Sequence, residues 1–211
     1  MPLSIWLGME DCLQAIVGRR PSAVLDAGIG FGLWGALLRQ YLDVWSGRIQ
    51  PEQWTTRIDG IEIDEKRVQA HARHLYTEIL VGDVREVLPA RAAEQGYDVI
   101  LFGDVLEHLP KDDALSLLDT AVDLALQQVV VRIPLGDGWR REGREEPDHH
   151  RSRWYANDFA RVGFALRHYD FLGNPYGLVT IDATAANGRL LTHLDDRLAL
   201  VEERLERLIA G

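Results

Sequence analysis

Short apolar and β-branched runs alternate along this chain with longer stretches whose apolar residues recur every three or four positions. That alternation predicts βαβ units around a mostly parallel sheet. Ser22–Ala27 reads as a first buried strand, followed by a helix over Leu33–Tyr41 with Leu33, Ala36, Leu37 and Gln40 on one face. Arg57–Ile63 reads as a second strand, Glu65–Tyr76 as a helix, and Glu78–Val81 as a short third strand. Tyr97–Phe102 is apolar on both faces, as a central strand requires. Pro110 opens a helix striped by Ala114, Leu117, Leu118, Ala121 and Leu124. Gln128–Ile133 follows as a strand stopped by Pro134, then a helix near Ala156–Val162 and two more strands, Phe164–Tyr169 and Gly177–Ala183. The expected fold class is therefore α/β, a Rossmann-like doubly wound sheet of seven mostly parallel strands with helices on both faces.

Two connections exceed what a compact α/β domain needs, Asp43–Thr56 with Trp45 and Trp54, and Leu135–Arg153 with Trp139 and the pair His149-His150. Long loops that hold aromatics suggest substrate lids rather than disorder. Composition narrows the setting. A formal charge of −10 repels phosphate backbones, and the arginines at 140, 141, 144, 151 and 153 are nearly cancelled by Glu142, Glu145, Glu146 and Asp148, so no nucleic-acid partner is expected. The single cysteine, Cys12, fits a reducing compartment, the N-terminus lacks a leader pattern, and no apolar run reaches the about 18 residues of a membrane span. A cytoplasmic protein that meets no membrane is the expectation.

Candidate chemistry gathers at strand ends. VLDAGIGFG places Gly28, Gly30 and Gly32 directly behind the first strand, a tight turn whose backbone can pass close to a ligand. Gly30, Gly32 and Gly35 also satisfy a dinucleotide spacing, which keeps a nicotinamide-dependent oxidoreductase in view. Asp26 opposes that reading, because a carboxylate there repels a pyrophosphate and welcomes a cationic amino group. The second strand ends in Glu62, where open parallel sheets hold a ribose diol. Gly82-Asp83 closes the third strand and Asp104 the fourth, so four successive strands end in acids.

With these residues the chain resembles the class I S-adenosylmethionine-dependent methyltransferases over roughly residues 22–185. DAGIGFG is similar to the family's first motif, and YDVILFGDVLEHL to the fourth-strand motif of its small-molecule members. The resemblance implies that Asp26, Gly28, Gly30 and Gly32 hold the methionine end of the cofactor. By the same resemblance Glu62 with Ile63 takes the ribose hydroxyls, Asp83 with the Val84 backbone takes the adenine, and Asp104 borders the reacting end. Ile29 and the length of the 43–56 insertion depart from the usual pattern.

In-line transfer from a sulfonium needs alignment, and a hydroxyl acceptor also needs a base or a Lewis acid. His108, Asp104 and His149 are the catalytic candidates. D-x-x-E-H over Asp104, Glu107 and His108 resembles the metal-binding E-x-x-E-H of ubiquinone-pathway and small-RNA methyltransferases, with His149 or His150 completing the set. The same E-H pair caps a helix in metal-free relatives, so metal stays undecided. The expected activity is methyl transfer to the O or N of a small polar molecule, with a non-catalytic cofactor-binding subunit as the alternative. Residues 1–187 form the expected domain, with a helical lead-in over 1–20. A heptad stripe of Leu191, Leu194, Leu198, Val201, Leu205 and Leu208 then predicts an amphipathic helix over 188–211 that packs on its own domain or pairs two copies.

Overall fold

The computed structural model describes residues 5–139, 148–160 and 163–185. Helix α1 (Met9–Val17) precedes strand β1 (Ala23–Ala27), α2 (Leu33–Leu42), β2 (Arg57–Glu62), α3 (Ala70–Leu75) and β3 (Glu78–Val81). Then come α4 (Val84–Gln95), β4 (Tyr97–Gly103), α5 (Lys111–Leu124), β5 (Ala125–Pro134), β6 (Phe164–Phe171) and β7 (Asn174–Asp182). The sheet order is β3-β2-β1-β4-β5-β7-β6, with β7 antiparallel to both neighbours and the remaining pairs parallel. The expected seven-stranded, doubly wound sheet is borne out.

Successive residues of a strand face opposite sides, and β1 divides its chain between two cores accordingly. Leu25 and Ala27 pack with Leu88, Leu117 and Leu118 under α4 and α5. Val24 packs with Cys12, Ile16, Trp34 and Leu38 under α1 and α2. Strand order reverses between β1 and β4, the point at which an open α/β sheet leaves a crevice beyond its strand ends.

The structure differs from expectation in several places. Val84–Gln95 is a helix that the sequence reading did not name; its only buried residues are Val84, Leu88 and Ala92, and Pro89 interrupts the pattern. The expected Glu65–Tyr76 helix is a 3₁₀ turn over Glu65–Arg67 followed by the shorter α3. β5 begins at Ala125, immediately behind α5, and only a 3₁₀ turn over Ala156–Phe159 stands where a helix was expected. The 43–56 connection is no lid. It enters β2 at the edge opposite the strand-end acids, where buried Asp43 accepts from Arg39 (2.5 Å), Arg48 (2.8 Å) and the Thr55 N–H (2.9 Å). Trp54 lies over the Arg39 guanidinium at 4.2 Å. The predicted C-terminal helix and the arginines at 140, 141 and 144 lie outside the described residues.

Candidate active site

A cavity of about 300 Å³ opens at the carboxyl ends of β1, β2 and β4, and its wall includes Gly28, Gly30, Glu62, Asp83, Asp104 and His108. Ile63 and Val84 line it as well. Residues far apart in sequence but read from four strand ends thus face one space.

The glycine turn is built for close approach. Gly28 has φ 115° and a Cβ there would meet Val105 at 2.4 Å, whereas Gly30, at φ 51°, borders open space. The Gly30 N–H donates to Glu62 Oε2 at 3.0 Å, and Asp64 N–H donates to Oε1 at 3.3 Å. Burial lifts the Glu62 carboxyl above its ordinary range, partly countered by these backbone donors. Asp83 caps α4 by accepting from the Arg85 N–H at 2.9 Å, and the Arg85 guanidinium that bridges Asp83 and Asp113 holds its carboxyl low.

Asp26 and Gly32 do not reach the wall. Gly32 caps α2 against Ala72. Asp26 is sealed beneath the turn, where the Tyr76 hydroxyl donates to its Oδ2 and accepts from the Gly35 N–H at 2.9 Å. Burial, with Glu62 nearby, pushes Asp26 up to about 7 against the pull of the Tyr76 bond. The acid therefore shapes the loop from below instead of meeting an amino group directly. Among the described residues, Asp26 Oδ1 and Trp34 Nε1 are buried without a hydrogen-bond partner.

On the far wall, Asp104 follows β4 with φ 60°, a left-handed conformation unusual for a residue with a side chain. Its N–H donates to the Arg132 carbonyl at 3.0 Å, and its Oδ1 accepts from the buried Tyr176 hydroxyl at 2.5 Å. Glu107 and His108 lie on the next turn, Leu106–His108. His108 Nδ1 is 3.2 Å from the His149 carbonyl, and its ring meets His150 edge-on at 5.1 Å. Ligand atoms of Glu107, His108 and His150 lie within 4.8 Å of one another, a grouping that can hold a divalent cation with one carboxylate and two imidazoles. Asp104, the first residue of the D-x-x-E-H motif, is instead bound to Tyr176. The His149 side chain is exposed and borders an adjoining cavity, so the imidazole beside His108 belongs to His150. Tyr76 and Tyr176 carry no signal in the sequence, because only the folded sheet brings them to Gly35, Asp26 and Asp104, 41 to 72 positions away.

No family model matches the chain, and no curated protein matches it in sequence. Solved structures do. The chain is similar to an O-methyltransferase of tomaymycin synthesis from Streptomyces achromogenes, determined with S-adenosylmethionine, at TM-score 0.57 and 15% identity over 85% of this chain and 82% of that one. It is similar to 1,6-didemethyltoxoflavin N1-methyltransferase from Burkholderia thailandensis, determined with that acceptor and S-adenosylhomocysteine, at TM-score 0.55 and 16% identity over 83% and 78%. An O-methyltransferase family protein from the same organism matches at TM-score 0.54 and 12% identity; 82% of this chain spans 54% of its length. At such identities the likeness establishes the fold.

Proposed function

We propose that this chain, which carries the fold of the class I S-adenosylmethionine-dependent methyltransferases, binds S-adenosylmethionine and transfers its methyl group to an oxygen or nitrogen of a small molecule. The observation that carries the reading is the meeting of the Gly28–Gly30 turn, Glu62, Asp83 and His108 around one cavity at the strand-order reversal. The donor set fits the cofactor: Glu62 offers carboxylate oxygens to a ribose diol, Asp83 to an adenine amino group, and the glycine turn admits a chain at close range. Bound there, S-adenosylmethionine supplies an electrophilic methyl on a sulfonium.

The remaining work falls to the protein's own groups. An Nδ1–H donated to the His149 carbonyl fixes the His108 tautomer and leaves Nε2 as the basic atom. His108 Nε2 would then take the proton that the acceptor heteroatom gives up as it receives the methyl group. Buried Glu107 holds the 151–152 backbone through its carbonyl, which accepts from Arg151 N–H at 2.8 Å and Ser152 N–H at 3.1 Å. That tie carries His150 to His108.

Replacing His108 by Ala should lower single-turnover methyl transfer by about 10²–10⁴-fold while changing cofactor affinity far less. Wild-type turnover in that variant contradicts the base assignment. The Glu107, His108 and His150 grouping favours a second reading, in which a divalent cation acidifies the acceptor. Dialysis against a chelator separates the two: an unchanged rate supports the imidazole base, and a reversible loss restored by metal supports the cation.

A further inference from the structure

Arg67, Asp148 and His150 border the cavity together with His108. Asp148 comes from the segment after β5 and Arg67 from the 3₁₀ turn that follows β2, 81 positions earlier, yet Arg67 Nη1 donates to Asp148 Oδ1 at 2.7 Å. We infer that Arg67 is a positioning residue for methyl transfer: through Asp148 it holds the backbone whose next carbonyl, that of His149, selects the His108 tautomer. The inference rests on the methyltransferase reading and deepens it, and depends in particular on His108 as the base.

Residues 148–150 lie outside any helix or strand, so no ladder of backbone bonds fixes their torsions. Their C-terminal neighbours are anchored. The Arg151 and Ser152 N–H groups donate to the Glu107 carbonyl at 2.8 and 3.1 Å, the Ser152 hydroxyl donates to the Leu106 carbonyl at 3.3 Å, and the buried Trp154 indole donates to that hydroxyl at 2.9 Å. These contacts secure one end of a short strap, and the Arg67–Asp148 pair ties the other end to the β2 side of the cavity. Between the two anchors lie His149, whose carbonyl stands 3.2 Å from His108 Nδ1, and His150, whose ring meets His108 edge-on at 5.1 Å. A carbonyl can only accept, so this contact requires the proton on Nδ1. If the strap swings away from Arg67 the contact is lost. The ring then reverts toward the Nε2–H form that an unconstrained neutral imidazole prefers, and in that form Nε2 cannot take a proton.

The pair suits an anchor. Both side chains are partly buried, so salt screens the contact less than it screens a pair on an open surface. Burial alone lifts the Asp148 carboxyl, yet the Arg67 hydrogen bond and charge hold it below its ordinary range, so it stays ionised at neutral pH. The Arg67 guanidinium also lies in the field of Glu62, so a change at Arg67 is felt on the cofactor side as well. A change at Asp148 leaves Arg67 beside Glu62, which separates the two effects.

The test reads the tautomer directly and needs no acceptor. Two-bond proton–nitrogen NMR spectra are recorded on the isotope-labelled full chain, saturated with S-adenosylhomocysteine and with a chelator present, at a pH where the imidazoles are neutral. The signal absent from H108Q is that of His108. The wild-type chain should show Nδ1–H in excess. R67Q and D148A should each lower the ratio of Nδ1–H to Nε2–H about two- to tenfold, the worth of one hydrogen bond. R67K should restore part of the ratio, and R67Q combined with D148A should lose no more than either alone, because both act through one contact. Affinity for S-adenosylhomocysteine should stay within about threefold of wild type in D148A. Nε2–H in excess in the wild-type chain, an unchanged ratio in R67Q and D148A, additive losses in the double variant, or weakened cofactor affinity in D148A with the tautomer unmoved would each overturn the positioning role. Failure of S-adenosylhomocysteine to bind the wild-type chain overturns the methyltransferase reading instead, and is seen before any tautomer is read.

Discussion

Asp26 illustrates how far a single residue can be read in advance. Its position before Gly28 marks it as the acid of a ligand-binding turn, yet nothing near it in sequence announces Tyr76, fifty residues on, whose hydroxyl spans Asp26 and Gly35. The consequence is a pH signature. A carboxyl lifted from 3.8 to about 7 on folding stabilises the native state most below pH 4 and loses that contribution as pH rises toward 7. Groups facing it are Tyr76, Glu62 and Cys12. The carboxyls held low by donors, among them Asp43, Asp83, Asp148 and Asp182, act oppositely and in a separate window, losing stability only as pH falls below about 4. Thermal unfolding of the apo protein should therefore show a decline in Tm between about pH 4 and 7 that Asp26→Asn flattens. An identical slope in the variant contradicts the buried-acid account. Tyr76→Phe should steepen dependence on the same carboxyl, because the bond that eases its ionisation is gone.

Elements were legible where the apolar period is clean and illegible where it is not. β1, β2, β3 and β4 end at or within a residue of their expected limits, because a buried strand flanked by Gly and Asp carries its own boundaries. α4 was missed because its buried face is only three residues wide and the helix contains Pro89, a residue that ordinarily ends a helix. What secures α4 is its cap. Asp83→Ala should cost about 1 kcal/mol from the lost cap, a Tm drop of roughly 2–4 °C in a domain of this size, and should also weaken cofactor binding. The 43–56 loop makes the complementary case. Its tryptophans and length suggested a lid, but buried Asp43 ties it to Arg39 at the edge away from the cavity. Asp43→Ala leaves a buried guanidinium without its ion-pair partner and should destabilise by about 3–5 kcal/mol. S-adenosylhomocysteine affinity measured on the folded fraction should stay at the wild-type level. A selective loss of affinity would return the loop to the active site.

At the scale of the whole molecule, the sheet order puts every strand-end acid on one edge, so the location of the site was legible once the βαβ pattern was recognised. Its far side was not. His150, Arg151, Trp139 and Tyr176 come from the segment after β5 and from an antiparallel strand, and no period in the sequence says which of them faces His108. No helix among the described residues is long and apolar enough to cross a membrane. Assembly is a separate proposal carried by the leucine stripe over 188–211. If that stripe pairs two chains, Leu198→Glu combined with Leu205→Glu should halve the mass measured by light scattering. An unchanged mass assigns the stripe to intramolecular packing. Cofactor capture at the cavity remains the central claim, and calorimetric titration of the intact chain with S-adenosylhomocysteine tests it most directly. One site per chain is predicted, with no heat from NAD and a loss of about 2–3 kcal/mol, roughly 30–150-fold in Kd, in Glu62→Ala. No binding by the wild-type chain, equal affinity in Glu62→Ala, or binding of NAD in its place would contradict the account.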